Sequence, residues 1–230
     1  MSSTVSNLVQ LPEIQSSDTS VTGQEAIVRL LQSRFKADQP YTQLGDHRLV
    51  VVNPFKPLDL LNDATLQAYG QHGYKDISPD KCAPPEPHVY DMATRVYLLM
   101  RRRSENQAVI LSGMAGSGKS TTHHHLIKEL LYLSTHTRKE EKMQNQILGV
   151  HTIFQAFGSA ASNTNETASC LGQFQTLQFN ERGRIIGCRT SIFLLDKHRV
   201  SRSHTQQYTI FYQLLAGTTP DEKQALHMTH

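Results

Sequence analysis

Long hydrophobic runs are missing from this 230-residue sequence. No apolar stretch approaches the roughly 18 residues of a membrane-crossing helix, so no spanning segment is expected within it. The opening "MSSTVSNLVQLPEIQ" has no basic segment leading into an apolar run, and a secretory leader is therefore not expected. Cysteine is scarce: Cys82, Cys170 and Cys188 are an odd set without metal-ligand spacing, which points to a reducing, intracellular compartment. The formal net charge of +3 is too small to indicate a nucleic-acid partner. "NET" at Asn165 matches a glycosylation acceptor, but a cytosolic chain does not meet that enzyme. Internal repeats are absent.

What is present reads as a soluble, globular chain. Hydrophobic residues make up 38% and charged residues 19%, enough for a substantial core in one large domain or two small ones. The first 20 residues are rich in Ser and Thr and are expected to be a flexible segment. "GQEAIVRLLQSRFKAD" places Ala26, Ile27, Leu30, Leu31 and Phe35 at helical spacing. "RLVVVNPF" predicts a buried strand closed by Asn53-Pro54. "QHGYKDISPDKCAPPEPH" predicts a loop. "HVYDMATRVYLLMRRR" predicts an amphipathic helix with Val89, Met92, Val96, Leu99 and Met100 on its inward face, and Arg101 to Arg103 suit its C-terminus.

"QAVILSG" predicts an apolar strand, followed by "KSTTHHHLIKELLYLS" as a helix with Leu126, Leu130 and Leu133 facing inward. "THTRKEEKMQNQ" reads as an uncapped surface connection and "ILGVHTIFQAFG" as another helix. "GQFQTLQFNERGRIIGCRTSIFLLD" predicts two strands joined by a turn at Glu181–Gly183. "YTIFYQLLAG" predicts a helix stopped by Gly217. Helices between separate strands imply an α/β sheet.

The most specific stretch is "GMAGSGKS", residues Gly113, Met114, Ala115, Gly116, Ser117, Gly118, Lys119 and Ser120. It meets the pattern G-x-x-x-x-G-K-[ST]. Glycines let backbone amides wrap phosphate oxygens, and the following helix turns its positive end toward them. Lys119 is expected to reach the β- and γ-phosphates, and the Ser120 hydroxyl to ligate Mg²⁺. The loop lies between a predicted strand and a predicted helix, the context such a loop requires. His123, His124 and His125 invite a metal hypothesis. Consecutive helical residues point about 100° apart, however, so three in a row do not share one ion.

Four stretches together resemble the myosin motor head. "YTQLGDHRLVVVNPFKPL" is similar to the strand and purine-binding segment that opens the head. "EPHVYDMATRVYLLMRRRSENQAVILSGMAGSGKS" is similar to its helix, strand and phosphate loop, which in myosins usually reads GESGAGKT. "QILGVHTIFQAFGSA" resembles the helix running into switch I, and "GRIIGCRTSIFLLDKHRVSRSHTQQYTIFYQLLAG" the transducer strand and the helix after it. The resemblance extends from about Leu11 to Gly217 in the family's order, and its divergence is of the kind seen in the myosin-like motor domains fused to fungal chitin synthases. It implies a P-loop NTPase-type sheet flanked by helices in a partial motor domain at 21–217, an N-terminal segment at 1–20, a tail or truncation point at 218–230, and an incomplete head that ends after the transducer hairpin and its helix.

The same resemblance implies ATP and Mg²⁺ as ligands, with an actin filament as partner of the complete head and a cytoplasmic, cytoskeletal location. Asn53, Pro54 and Lys56 match the purine segment, while its later tyrosine is Leu61. Switch I, N-x-N-S-S-R-F-G in the family, aligns with "NETASCLG". Asn165 and Ser169 match, Ser169 at the Mg²⁺-ligating serine. Ala168 replaces the serine near the attacking water, and Cys170 replaces the arginine that pairs with switch II. Lys119 and Ser169 would support any phosphoryl chemistry, which the loss of that ion pair makes slow. Two other readings stay open: a stand-alone P-loop small-molecule kinase, disfavoured by the hundred or more residues before the loop, and a non-catalytic nucleotide-binding remnant.

Overall fold

A computed structural model describes residues 21–45, 47–74, 86–162, 165–197 and 206–228. Cys82, most of the loop expected from Gln71 to His88 and the N-terminal segment lie outside the described residues, as does the side chain of Ala26. The described chain separates into two units, residues 1–134 with the turn 181–183, and residues 135–180 with 184–230.

The first unit begins with α1 (Val21–Lys36), whose Ile27, Leu30 and Leu31 are half-buried while Phe35 is 42% exposed. A hairpin follows, β1 (Tyr41–Leu44) paired antiparallel with β2 (Arg48–Val51). The expected strand is thus present, but the burial expected of it belongs to its partner: Tyr41, Thr42 and Gln43 are buried, whereas Leu49 to Val51 are half-buried. The Tyr41 ring packs edge-on to His88 at 4.6 Å, and Gln43 Oε1 accepts from Arg95 at 3.0 Å.

Helix α2 (Asp63–Tyr74) takes in the first residues of the predicted loop. Asn62 Oδ1 starts it by accepting from the Thr65 amide at 2.7 Å. Two glycines let this helix approach its neighbours closely. A Cβ on Gly70 would stand 2.8 Å from the Tyr132 ring and 3.2 Å from Glu129 Oε1, and one on Gly73 would collide with the Thr94 methyl.

Helix α3 (Val89–Arg103) is capped by His88, whose Nδ1 accepts from the Tyr90 amide at 3.1 Å, and ends at Ser104 in the left-handed conformation. Its buried face is Val89, Tyr90, Ala93, Thr94 and Tyr97, not the face expected from Met92, Val96, Leu99 and Met100, which are half-buried. Small Ala93 and Thr94 allow tight packing against α2 and against α4 (Lys119–Ser134), while two tyrosines supply area and a hydroxyl. Leu126, Leu130 and Leu133 of α4 are buried as expected, joined by Ile127 and Leu131. Each such side chain contributes roughly 1.5–3 kcal/mol of burial.

The second unit is built on α5 (Arg138–Gly158). The segment expected to be an uncapped connection is the first half of this helix. Thr137 and Glu140 form a reciprocal capping box, with Glu140 Oε2 accepting from the Thr137 amide at 2.9 Å. Three further pairs of elements follow: β3 (Ser159–Ser162) with β4 (Asn165–Ser169), β5 (Gly172–Phe179) with β6 (Ile185–Phe193), and α6 (Thr209–Gly217) with α7 (Pro220–Ala225). The β5–β6 hairpin turns where expected, closed by the Asn180 amide donating to Arg184 O at 2.9 Å. Helix α6 ends at Gly217 as expected, but the stop is made by Thr218, whose amide and hydroxyl both donate to Leu214 O. Thr219 then opens α7 with a second capping box.

The expected sheet flanked by helices is not what the described residues form. They hold three separate two-stranded antiparallel sheets. The stretch predicted as the strand before the glycine loop carries no strand pairing; Val109 is 37% and Ile110 89% exposed. An apolar run becomes a strand only when a neighbouring edge takes up its amides and carbonyls.

Candidate functional site

The glycine loop lies in the first unit, between residue 112 and the first turn of α4. Gly116 (φ 77°) and Gly118 (φ 86°) occupy the left-handed region, which ordinary side chains enter at a cost of about 1–2 kcal/mol. The curve this allows is tied by the Ser117 amide donating to Met114 O at 3.2 Å, and α4 begins immediately, with the Thr122 amide donating to Gly118 O at 2.9 Å. The first amides of α4 and the loop amides therefore share one end of a helix dipole, a setting that favours anions.

Lys119 closes the loop. Its Nζ donates to Gly113 O and to Met114 O, each at 2.7 Å. An ammonium has three donors, so the side chain can hold both carbonyls and still turn a proton toward a bound phosphate. Ser120 is exposed in the first turn of α4. Its hydroxyl oxygen is a hard donor of the kind Mg²⁺ takes.

Asn53, ending the extended segment after β2, reaches this loop across the sequence. Its Nδ2 donates to Gly116 O at 2.7 Å, and its Oδ1 accepts from the Phe55 amide at 3.1 Å. Pro54 is half-buried, and Phe55 is 76% exposed. Lys56 pairs with Asp38 at 2.6 Å on the surface. Asn53 thus stands with the eight loop residues, whereas the charge of Lys56 is engaged by Asp38, a partner that sequence reasoning did not identify.

Asn165 and Ser169 lie in the second unit, at the two ends of β4. Asn165 Oδ1 accepts from the Thr167 amide at 3.1 Å, and Ser169 is paired in register with Ser159. Ala168 opposes Ala160, and Cys170 follows the strand, its amide donating to Gly158 O at 2.8 Å and its carbonyl accepting from Asp196.

Helix α4 behind the loop and helix α3 packed on it bring together polar groups that the sequence pattern hid. Tyr90 OH lies 3.1 Å from His125 Nδ1, and burial raises the Tyr90 phenol above its ordinary value. His88, stacked on Tyr69 at 4.8 Å, is pushed down to about 4 by burial. Glu129 is fully buried and pushed up to about 7, again by burial. No group of three or more His, Cys, Asp or Glu suited to a metal occurs among the described residues.

Residues 16–230 match the family model described as the myosin head (motor domain). The chain belongs to the myosin head family. Human unconventional myosin-IXa is 33% identical over 207 residues, which are 89% of this chain and 8% of that protein. The myosin IE heavy chain of Dictyostelium discoideum is 32% identical over 209 residues, 90% of this chain and 20% of that protein. Chitin synthase 8 of Mycosarcoma maydis is 32% identical over 207 residues, 88% of this chain and 10% of its own length. The myosin-head resemblance and its chitin-synthase connection are both borne out. The chain spans a fifth or less of each of these relatives, and among its described residues no helix is long and apolar enough to cross a membrane.

Proposed function

We propose that this myosin-head chain binds ATP with Mg²⁺ through the loop Gly113–Ser120, as the nucleotide half of a P-loop NTPase-type motor head. The observation that carries the proposal is the closed loop itself: two glycines in the left-handed region and Lys119 bridging two loop carbonyls at the start of α4. Lys119 would hold the β- and γ-phosphates, and the amides of residues 114–120 their oxygens. The magnesium ion would neutralise phosphate charge. Ser120 offers it a ligand, and Ser169 is the second serine that the family pattern assigns. Asn53, Pro54 and Lys56 belong to the same proposed nucleotide site, and the family pattern assigns Asn165 to nucleotide binding.

Hydrolysis by this chain should be slow. Cys170 stands where the family has an arginine, and a neutral thiol forms no charge-assisted pair. Ala168 likewise presents no hydroxyl to an attacking water. Phosphoryl transfer depends on such positioning and electrostatics. Movement along actin, cytoskeletal location and linkage to a chitin synthase are proposals for the complete head.

The test is a calorimetric titration of the chain with MgATP. Lys119→Ala, which removes the ammonium and its phosphate interaction, should abolish measurable binding. Retention of wild-type affinity by that variant would refute the assignment of the loop.

A further inference from the structure

Asn53 spends both ends of its amide within the protein. Nδ2 donates to the Gly116 carbonyl at 2.7 Å, and Oδ1 accepts from the Phe55 amide at 3.1 Å. The same side chain sits under the last loop glycine, where a Cβ built on Gly118 would meet Asn53 Cγ at 3.7 Å and Cβ at 3.8 Å. Gly116 and Gly118 are the loop's two residues of most pronounced left-handed backbone, φ 77° and 86°. A carbonyl in a turn of glycines has many competing orientations, because glycine loses the most freedom on ordering. One donor fixed on Gly116 O removes those alternatives.

We infer that Asn53 is a positioning residue for the phosphate loop: it holds the Gly116 peptide so that the neighbouring amides point into the anion nest, and it does not read the base. The other end of the amide is tied locally. Phe55 follows in the left-handed conformation (φ 52°), a strained state for a bulky residue, held by the bond to Asn53 Oδ1. The purine-side segment and the phosphate loop, 63 residues apart in sequence, therefore form one preorganised unit. This inference rests on the proposed nucleotide reading and assigns Asn53 a different task within it.

The experiment uses the full 230-residue chain and two probes, MgATP and inorganic tripolyphosphate, which has no base or ribose. Asn53→Leu preserves size, removes both hydrogen bonds and adds no charge. It should weaken both ligands by the same factor, about tenfold, since a missing brace leaves the loop to be ordered at the expense of binding. Amide exchange without ligand should accelerate in the loop and leave the buried turns of α3 and α4 unchanged. Should Asn53→Leu not fold by circular dichroism, Asn53→Ala serves for the same comparison.

A variant that binds ATP more weakly but holds tripolyphosphate as the wild type does would overturn the inference, because Asn53 would then be acting on the nucleoside. Unchanged affinity for both probes would overturn it equally. Failure of the wild-type chain to bind tripolyphosphate at all would count against the loop reading itself, and is distinguishable from these outcomes.

Discussion

Glu129 turns the core of the first unit into a pH-dependent structure. The residue is fully buried in α4. One carboxyl oxygen accepts from Thr94 Oγ1 at 2.9 Å, and the other is buried without a hydrogen-bond partner among the described residues. Burial pushes the carboxyl up to about 7, and the Thr94 bond opposes that shift. In the unfolded chain a glutamate titrates near about 4.3. The folded chain keeps a proton that the unfolded chain releases, so stability is fully present below about pH 4.3, falls as pH rises, and levels off above about pH 7. Over the full range a displacement of that size corresponds to about 4 kcal/mol. Glu129→Gln has nearly the same shape and does not titrate.

The unfolding free energy of the wild type minus that of Glu129→Gln should therefore decrease by about 3 kcal/mol between pH 4.5 and pH 8. The chain has no tryptophan, so urea unfolding is best followed by far-ultraviolet circular dichroism. The other titrating groups are common to both proteins and cancel in the subtraction. A difference that stays flat across this range, or that grows with pH, would refute the reasoning.

His88 should act in the opposite direction. Burial pushes it down to about 4, so its contribution is present above the unfolded value near about 6.5 and is lost as pH falls through about 4. His88→Asn, which keeps a capping acceptor for the Tyr90 amide, should show a smaller loss of urea midpoint between pH 6.5 and 4 than the wild type. An equal loss would remove His88 from the account. Tyr97 OH donates to Gly183 O at 2.7 Å and lies 3.2 Å from Leu133 O. Tyr97→Phe should cost about 1–2 kcal/mol and lower the melting midpoint by a few degrees, because a buried carbonyl loses its donor. An unchanged midpoint would mean that the ring alone matters.

The legible parts of the fold were those whose signals lie within a few residues. The glycine loop, the helix that opens at Lys119 and the β5–β6 hairpin with its turn at Glu181–Gly183 all appear where the sequence places them. Two signals are equally local but escape a reading by apolar period: Thr137-x-x-Glu140 and Thr219-Pro-x-Glu222 are capping boxes that mark the starts of α5 and α7. Other features were not readable in this way. Periodicity identified α3 as amphipathic but misplaced its buried face, since Ala93 and Thr94 are chosen by close packing with α2 and α4, not by hydrophobicity.

By itself the sequence determined the glycine loop, because glycine spacing sets the backbone turn and the following lysine lies within reach of the loop's own carbonyls. It also determined most helix positions, through caps and apolar period. Tertiary structure alone decided whether "QAVILSG" pairs as a strand, which way α3 faces, that burial pushes the Glu129 carboxyl up, and that Asn53 bonds Gly116. Each of these depends on groups distant in the chain, and desolvation or a hydrogen bond across 63 residues leaves no mark in a local pattern.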